Sequence, residues 1–360
     1  MITLFLTTQT ILLKTEIKKL IMQRLDYIDR MKGFALLLVT MGHIYIPNTV
    51  EGHDTPVCQM IYSFHMAFFF FLSGFMLSLT HGVETKGARH FLIRKMQTLL
   101  LPWLSFTLVV LPLLHRGISL PPLSVLNFYP VGTYWFLPLL FIFMIVWLCV
   151  YQGMKKVESL LMLKDVTGGG KNTILKNSPY FMISLMAAFA GMTLHLYYII
   201  VWAIYFVAFI MGYYVSKYDG MRNFIEKKTV CGLAAILLMV AWKLGPIDAN
   251  GVAWKSIINL CYTFVCSITA SIVLFNILQT IKLPALLDRF LCDTGKLSIA
   301  VYLIPIALLP HTFKFPEQWS AALVNLSVVS VAIVINYLCW LIGSVILEIP
   351  YIRFFLFGKK

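Results

Sequence analysis

The chain has 360 residues, of which 60% are apolar and only 12% are charged. A soluble domain has roughly a quarter of its residues charged, so this composition excludes an ordinary soluble enzyme, a disordered protein and a fibrous protein. The net charge of +14 is compatible with nucleic-acid binding or with a membrane protein, and the low number of charged residues favours the membrane.

Apolar runs long enough to cross a membrane recur along the whole chain. A helix needs about 20 mostly apolar residues to cross the hydrocarbon. The runs fall at 33–50, 57–79, 98–114, 134–151, 179–195, 197–215, 229–245, 256–280, 297–310 and 320–347. They do not alternate with period two, which argues against membrane strands. The sequence therefore predicts an all-α, polytopic integral membrane bundle of about ten transmembrane helices.

The lysines and arginines in the connections predict the orientation of these helices. If the N-terminus lies inside, 25 of the 29 basic residues fall on the cytosolic side. This bias predicts N-in and C-in topology and accounts for the net charge without a nucleic-acid partner. We expect a cytosolic or interfacial lead at 1–23, one membrane domain at 24–353 and a basic cytosolic tail at 354–360.

The first predicted helix carries Asp29, Lys32 and His43. Lys32 and His43 are eleven residues apart, which returns to nearly the same helix face with a rise of ~16 Å. Asp29 lies one turn before Lys32 and can pair with it. A long substrate with an anionic head and a reactive end near the imidazole fits this face. A packing histidine bonded to a backbone carbonyl fits the sequence equally well.

The second predicted helix places His65 at a depth similar to that of His43, and its Ser73-Gly74 pair permits close helix contact. The two histidines are candidates to flank a reacting hydroxyl, although one of them can equally be structural. The basic segment that follows, with Arg89, Arg94 and Lys95, can bind phosphates or serve topology alone. No tight His and carboxylate cluster occurs, so we predict no metal site.

Several pieces of sequence then occur in one order over residues 24–347. They are Ile28-Asp29 with Lys32-x10-His43, Phe64-His65-Met66 with Phe71-Leu72-Ser73-Gly74-Phe75, Arg94-Lys95 before Leu101-Pro102-Trp103, Trp135-Phe136-Leu137, Phe209-x2-Gly212-Tyr213-Tyr214-x2-Lys217, and Gly295-Lys296-x-Ser298-x3-Tyr302. In these pieces the chain resembles the family-three membrane acyltransferases, which O-acetylate cell-surface sugars. The resemblance is greatest to the fucose 4-O-acetylase branch.

The resemblance implies an essential His43, acting as a base or a transient acyl carrier, and acetyl-CoA or a related acyl-CoA as the cytosolic donor. Three departures accompany it. Gln97 or Thr98 stands where many members have the second Arg of Arg-x-x-Arg. Ala67 replaces a proline after His-Met, and Pro305 stands where a histidine often ends the last motif.

The resemblance and the residue chemistry together predict an O-acetyltransferase of the bacterial cytoplasmic membrane. Its acceptor is a sugar hydroxyl of a lipid-linked or cell-surface glycan, and no tightly bound cofactor is expected. The predicted site residues are His43 and His65 for catalysis, Lys32, Arg89, Arg94 and Lys95 for the donor, and Asp29, Ser73, Trp135 and Tyr302 for the substrate. A transporter or flippase of a lipid-linked sugar, and a family member without catalysis, remain alternatives. The sequence leaves the oligomeric state open.

Overall fold

A computed structural model describes residues 26–49, 52, 55–80, 83, 87–114, 134–160, 179–180, 182–184, 186–187, 197–246, 253–309 and 314–359. The regular elements in these ranges are helices. The lead predicted at 1–23 lies outside the described residues, as does about half of the helix predicted at 179–195.

The described helices are α1 (26–48), α2 (Pro56–Leu79), α3 (Ala88–Leu114), α4 (Phe136–Leu160), α5 (Tyr197–Lys217), α6 (Asp219–Ile225), α7 (Lys228–Leu244), α8 (Ala253–Thr280), α9 (Ala285–Lys296), α10 (Ser298–Leu308), α11 (Ala321–Glu348) and α12 (Pro350–Phe357).

Six of these helices contain a stretch long and apolar enough to cross a membrane, namely α2, α3, α4, α5, α8 and α11. A seventh candidate is formed if α9 and α10, which meet at an 89° bend, make one broken span. The described part of the chain is therefore an all-α, multi-pass membrane protein, as predicted. Helix α7 has 17 residues and, like α1, is not among the six. Ten helices and the N-in, C-in topology remain predictions.

Helix α3 runs without a break, but two of its segments are π-helical instead of α-helical. Met96–Leu100 precedes Pro102, and Phe106–Val110 precedes Pro112. Proline has no backbone N–H to donate to the carbonyl four residues earlier, so the regular hydrogen-bond ladder breaks just before it. Both π segments therefore follow from the prolines, and together they set the direction in which the side chains of α3 point.

Glycines allow close packing between two pairs of helices. A Cβ atom at Gly74 of α2 would overlap the Phe209 carbonyl oxygen of α5, and one at Gly212 would overlap the Phe71 carbonyl oxygen of α2. Between α1 and α9, a Cβ atom at Gly33 or Gly295 would likewise overlap the facing backbone. Close backbone approach of this kind is typical of packed membrane helices. The predicted close helix contact at Ser73-Gly74 is confirmed.

An aromatic core surrounds the middle of α2. Phe70 is completely buried, and its ring lies 4.8–6.4 Å, between centroids, from four neighbouring rings: Trp135, Phe136, Phe143 and Tyr205. Aromatic pairs at such distances stabilise a core beyond the area that they bury. This core fixes the start of α4 against α2.

Polar contacts fix the rotation of α1 about its own axis. Arg30 forms an ion pair with Asp288 of α9, and its Nη1 donates to the Leu278 carbonyl of α8 over 3.0 Å. Further along, the buried Thr40 hydroxyl donates to the Asn336 side-chain oxygen of α11 over 2.6 Å. With both regions held, the face that carries Lys32 and His43 has a defined direction.

Candidate functional site

A cavity of about 250 Å³ opens between α1, α2, α3, α4 and α10. Its walls combine a few polar side chains with a larger apolar surface. The lining residues are Lys32, Phe69, Leu72, Ser73, Met76, Leu77, Thr80, Lys95, Thr98, Leu99, Phe136, Leu137, Leu140, Met144, Ser298, Ile299 and Tyr302. Four of the ten predicted site residues are among them: Lys32, Ser73, Lys95 and Tyr302.

The cavity is elongated along α2. Its lining on that helix runs from Thr80, at the helix end, to Phe69, eleven residues earlier, which corresponds to a rise of ~16 Å. Phe69 lies one helical turn from His65. The cavity therefore follows α2 towards the depth of the predicted histidines, with mostly apolar walls along the way.

Two lysines give the cavity a positive end. Lys32 Nζ lies 2.6 Å from Asp29 Oδ1, which is the ion pair predicted from their spacing. Lys95 Nζ lies over the Phe91 ring, 5.5 Å from its centroid. Among the described residues that line the cavity there is no aspartate or glutamate. The positive charge of Lys95 is thus not matched by a carboxylate in the described wall.

The first turn of α10 adds to the polar part of the wall. The sharp bend at Leu297 ends α9 and begins α10, and Ser298 and Ile299 line the cavity. The N-terminal end of a helix carries unpaired N–H groups and a partial positive charge. Ser298 belongs to the last sequence motif, so the sequence could have indicated it as a site residue. Thr80 and Thr98 also line the cavity and were not predicted.

The predicted substrate residues are placed differently. Ser73 lines the cavity and its hydroxyl donates to the Phe69 carbonyl over 2.9 Å. Tyr302 lines it as well, and its ring makes an edge contact with the Phe136 ring, with 5.6 Å between the centroids. Trp135 is not in the lining. It stacks on Tyr205 at 6.0 Å, next to Phe136.

The predicted donor residues fall into two groups. Lys32 and Lys95 line the cavity, whereas Arg89 and Arg94 are exposed on α3 and do not belong to its wall. Side chains three or four residues apart share a helix face, and adjacent ones do not. Arg94 therefore points away from the face on which Lys95 meets the cavity.

The two histidines are not among the described residues that line the cavity, and both His65 and Gly42, the residue before His43, lie close to Tyr62. A Cβ atom at Gly42, beside His43, would lie 2.8 Å from the Tyr62 ring, and the His65 ring centroid lies 4.9 Å from that of Tyr62. His43 is half-buried and has an interaction partner. His65 is buried, with Nδ1 2.8 Å from the Ile61 carbonyl oxygen. A carbonyl oxygen can only accept a hydrogen bond, so Nδ1 of His65 carries the proton in this contact. The bond also fixes the orientation of the His65 ring.

A comparison with known protein families gives the class of the protein. The model of the acyltransferase 3 family, described as an acyltransferase domain, matches residues 25–345. With six or seven candidate spans, the match makes the protein a multi-pass membrane acyltransferase. The chain belongs to the acyltransferase 3 family, which confirms the family resemblance seen in the sequence, whereas the relation to the fucose 4-O-acetylase branch stays a prediction. No curated protein and no solved structure matches the chain.

Proposed function

We propose that the protein moves an acetyl group from cytosolic acetyl-CoA to a sugar hydroxyl of a lipid-linked or cell-surface glycan, in the bacterial cytoplasmic membrane. One observation carries the proposal: an apolar cavity has two lysines at one end and extends along α2 towards the histidines. Membership of an acyltransferase family supports acyl transfer. The order of the motifs supports a relation to the fucose 4-O-acetylase branch.

The shape and charge of the cavity support the way in which we place the donor. Charged groups are costly within the membrane, so the phosphates of acetyl-CoA stay at the end with Lys32 and Lys95. At about 250 Å³, the cavity is smaller than the roughly 300–1,000 Å³ of most ligand pockets. It is therefore suited to the slender acyl-carrying arm, while the nucleotide remains outside.

His43 carries the chemistry in this proposal. It lies on the same face of α1 as Lys32, with a rise of ~16 Å between them. As a general base, its imidazole accepts the proton of the sugar hydroxyl. The oxygen forms a bond to the acetyl carbon, the carbon–sulfur bond breaks, and the proton passes to the leaving CoA thiolate. As a transient acyl carrier, His43 receives the acetyl group first.

The remaining predicted residues have supporting roles. The contact of His65 with the Ile61 carbonyl supports a fixed ring beside Tyr62 that positions the reacting groups. Ser73 and Tyr302 supply hydroxyl groups to the cavity wall, and Asp29 orients Lys32. Trp135, stacked behind the wall, supports the acceptor side.

The placement of basic residues supports a cytosolic position for the lysine end. The positive charge of Lys32, near the start of α1, helps to lower the pKa of Lys359, which follows α12. Two segments close enough for one charge to act on the other in this way lie on one side of the membrane. This agrees with the predicted N-in, C-in orientation and with an even number of helices, which we propose to be ten.

The test is transfer of radiolabelled acetyl from acetyl-CoA to a membrane glycan fraction by the purified protein. We expect His43→Ala to abolish transfer without changing thermal unfolding. His90→Ala is the matched control, because His90 is exposed at the start of α3. Near-normal turnover by His43→Ala would overturn the mechanism. A wild-type protein that neither binds acetyl-CoA nor transfers label would favour the transporter alternative.

A further inference from the structure

The end of the chain is packed against α3 next to the cavity. Helix α12 ends at Phe357, which is 1% exposed and stacks on Phe106 with 6.5 Å between ring centroids. The Ser105 hydroxyl donates to the Phe355 carbonyl over 2.6 Å. These contacts fix α12 along the central part of α3.

Gly358 brings the chain still closer to α3. It has a left-handed backbone with φ +62°, and a Cβ atom there would overlap the carbonyl oxygen of Gln97. Both the backbone angle and the lack of space favour glycine at this position. The contact lies beside Thr98 and two residues from Lys95, both of which line the cavity. The residue that follows, Lys359, is thereby held near the cavity.

Lys359 is half-buried, and its pKa lies below the ordinary lysine value. Burial is the main cause, and the positive charge of Lys32 is the second. Lys359 therefore lies within the electrostatic reach of Lys32, and Gly358, which precedes it, contacts α3 two residues from Lys95. Of the three lysines, Lys32 and Lys95 line the cavity and Lys359 lies outside its lining. Of these, Lys32 is paired with Asp29. Like charges held together repel each other, and an anion with several charges relieves that repulsion.

We propose that Lys359 is a third cation of the donor site, just outside the residues that line the cavity, and that the C-terminal tail, docked through Gly358 on Gln97, holds it there. The ligand class is the phosphate groups of an acyl-CoA, so the inference rests on the proposed function. A phosphate ester accepts charge-assisted hydrogen bonds from ammonium groups, and these are stronger than neutral ones.

The test compares two donors that differ in phosphate charge. Acetyl-CoA carries the phosphates, and acetyl-pantetheine carries none. For Lys359→Ala we expect the KM for acetyl-CoA to rise roughly tenfold, and more for Lys359→Glu, with kcat little changed. The KM for acetyl-pantetheine should not change. Lys359→Arg should restore most of the acetyl-CoA affinity because it keeps the charge.

Matched controls distinguish the effect of the charge at Lys359 from the effect of losing any positive charge of the protein. Lys282 is exposed, and Lys282→Ala should leave both KM values unchanged. Gly358→Ala should act like Lys359→Ala because it displaces the tail. Gly153→Ala should be silent, because no atom lies near its added Cβ.

If wild-type protein turns over acetyl-CoA and Lys359→Glu has an unchanged KM, only this inference is overturned. If wild-type protein neither binds nor uses acetyl-CoA, both the proposed function and this inference are overturned.

Discussion

Lys32 of α1 and Lys95 of α3 line the same cavity, although 63 positions of the chain separate them. Each lysine is held by a local partner: Asp29 for Lys32, and the Phe91 ring for Lys95. The helix that carries Lys95 also exposes two arginines, Arg89 and Arg94, to the outside of the cavity. Substitutions of cavity lysines and of exposed arginines can therefore show whether the position of a positive charge matters or only the total charge.

Neutralising Lys95 should weaken donor binding more than neutralising its neighbour. For Lys95→Met we expect a rise in the KM for acetyl-CoA of roughly tenfold to a hundredfold, as is typical when a hydrogen bond to a charged group is lost. Arg94→Met removes the same charge from an exposed position and should change the KM less than threefold or so. Initial-rate kinetics on both purified variants measure the difference. Equal effects would mean that the donor head does not lie at the cavity.

Filling the cavity should exclude the acyl arm. Ser73→Leu adds apolar volume to the wall, so we expect a strongly reduced rate with acetyl-CoA and with acetyl-pantetheine alike. Ser330→Leu is the control, since Ser330 makes the same bond to the carbonyl four residues earlier but is exposed on α11. Acetyl-transfer assays at saturating acceptor measure it. Undiminished activity in a folded Ser73→Leu protein would show that the donor takes another path.

The two histidines should respond differently to asparagine. An asparagine amide can donate a hydrogen bond to a backbone carbonyl, so His65→Asn can keep the bond to Ile61 and should retain much of the activity. His43→Asn removes the proposed base and should reduce kcat by 10²-fold or more. Turnover and thermal unfolding are measured for both variants. Loss of catalysis in both, with normal unfolding, would give His65 a direct chemical role.

The glycine contact between α2 and α5 should be sensitive to a single methyl group. Gly74→Ala and Gly212→Ala each force the facing backbones apart, and we expect a loss of about 1–3 kcal/mol in the free energy of unfolding. Gly153→Ala, on α4 with open space around it, should not destabilise the protein. Unfolding in detergent followed by circular dichroism compares the three. Wild-type stability of both variants would contradict the close contact.

Part of this architecture could be predicted from the sequence because the signals are local. The ion pair of Asp29 with Lys32 and the close contact at Gly74 follow from spacing and residue size within one helix. The acyltransferase family could be recognised from motifs in a fixed order, and the family match confirms it. The number of helices and their orientation rest on the hydropathy and charge patterns and remain predictions.

Other features depend on contacts between distant parts of the chain. Hydropathy indicates one apolar run over 297–310 but contains no signal for the 89° bend that brings Ser298 to the cavity. The sequence shows Gln97 and Thr98 where a second arginine was expected, but not that Gly358 and Lys359 pack beside them. The sequence also could not predict which basic residues of α3 face the cavity, because this depends on the irregular course of the helix.

The π segments of α3 determine how the side chains before them are rotated about the helix axis relative to those after them. A π segment accommodates one residue more than an α-helix of the same rise, so Met96–Leu100 turns Lys95 by ~100° relative to Trp103. Deleting one residue in this segment would leave the hydropathy and charge of the span nearly unchanged. We expect the deletion to turn Arg94 into the direction that Lys95 now has and to turn Lys95 away from the cavity. In this protein, one residue of length in a membrane helix selects the cation that lines the cavity.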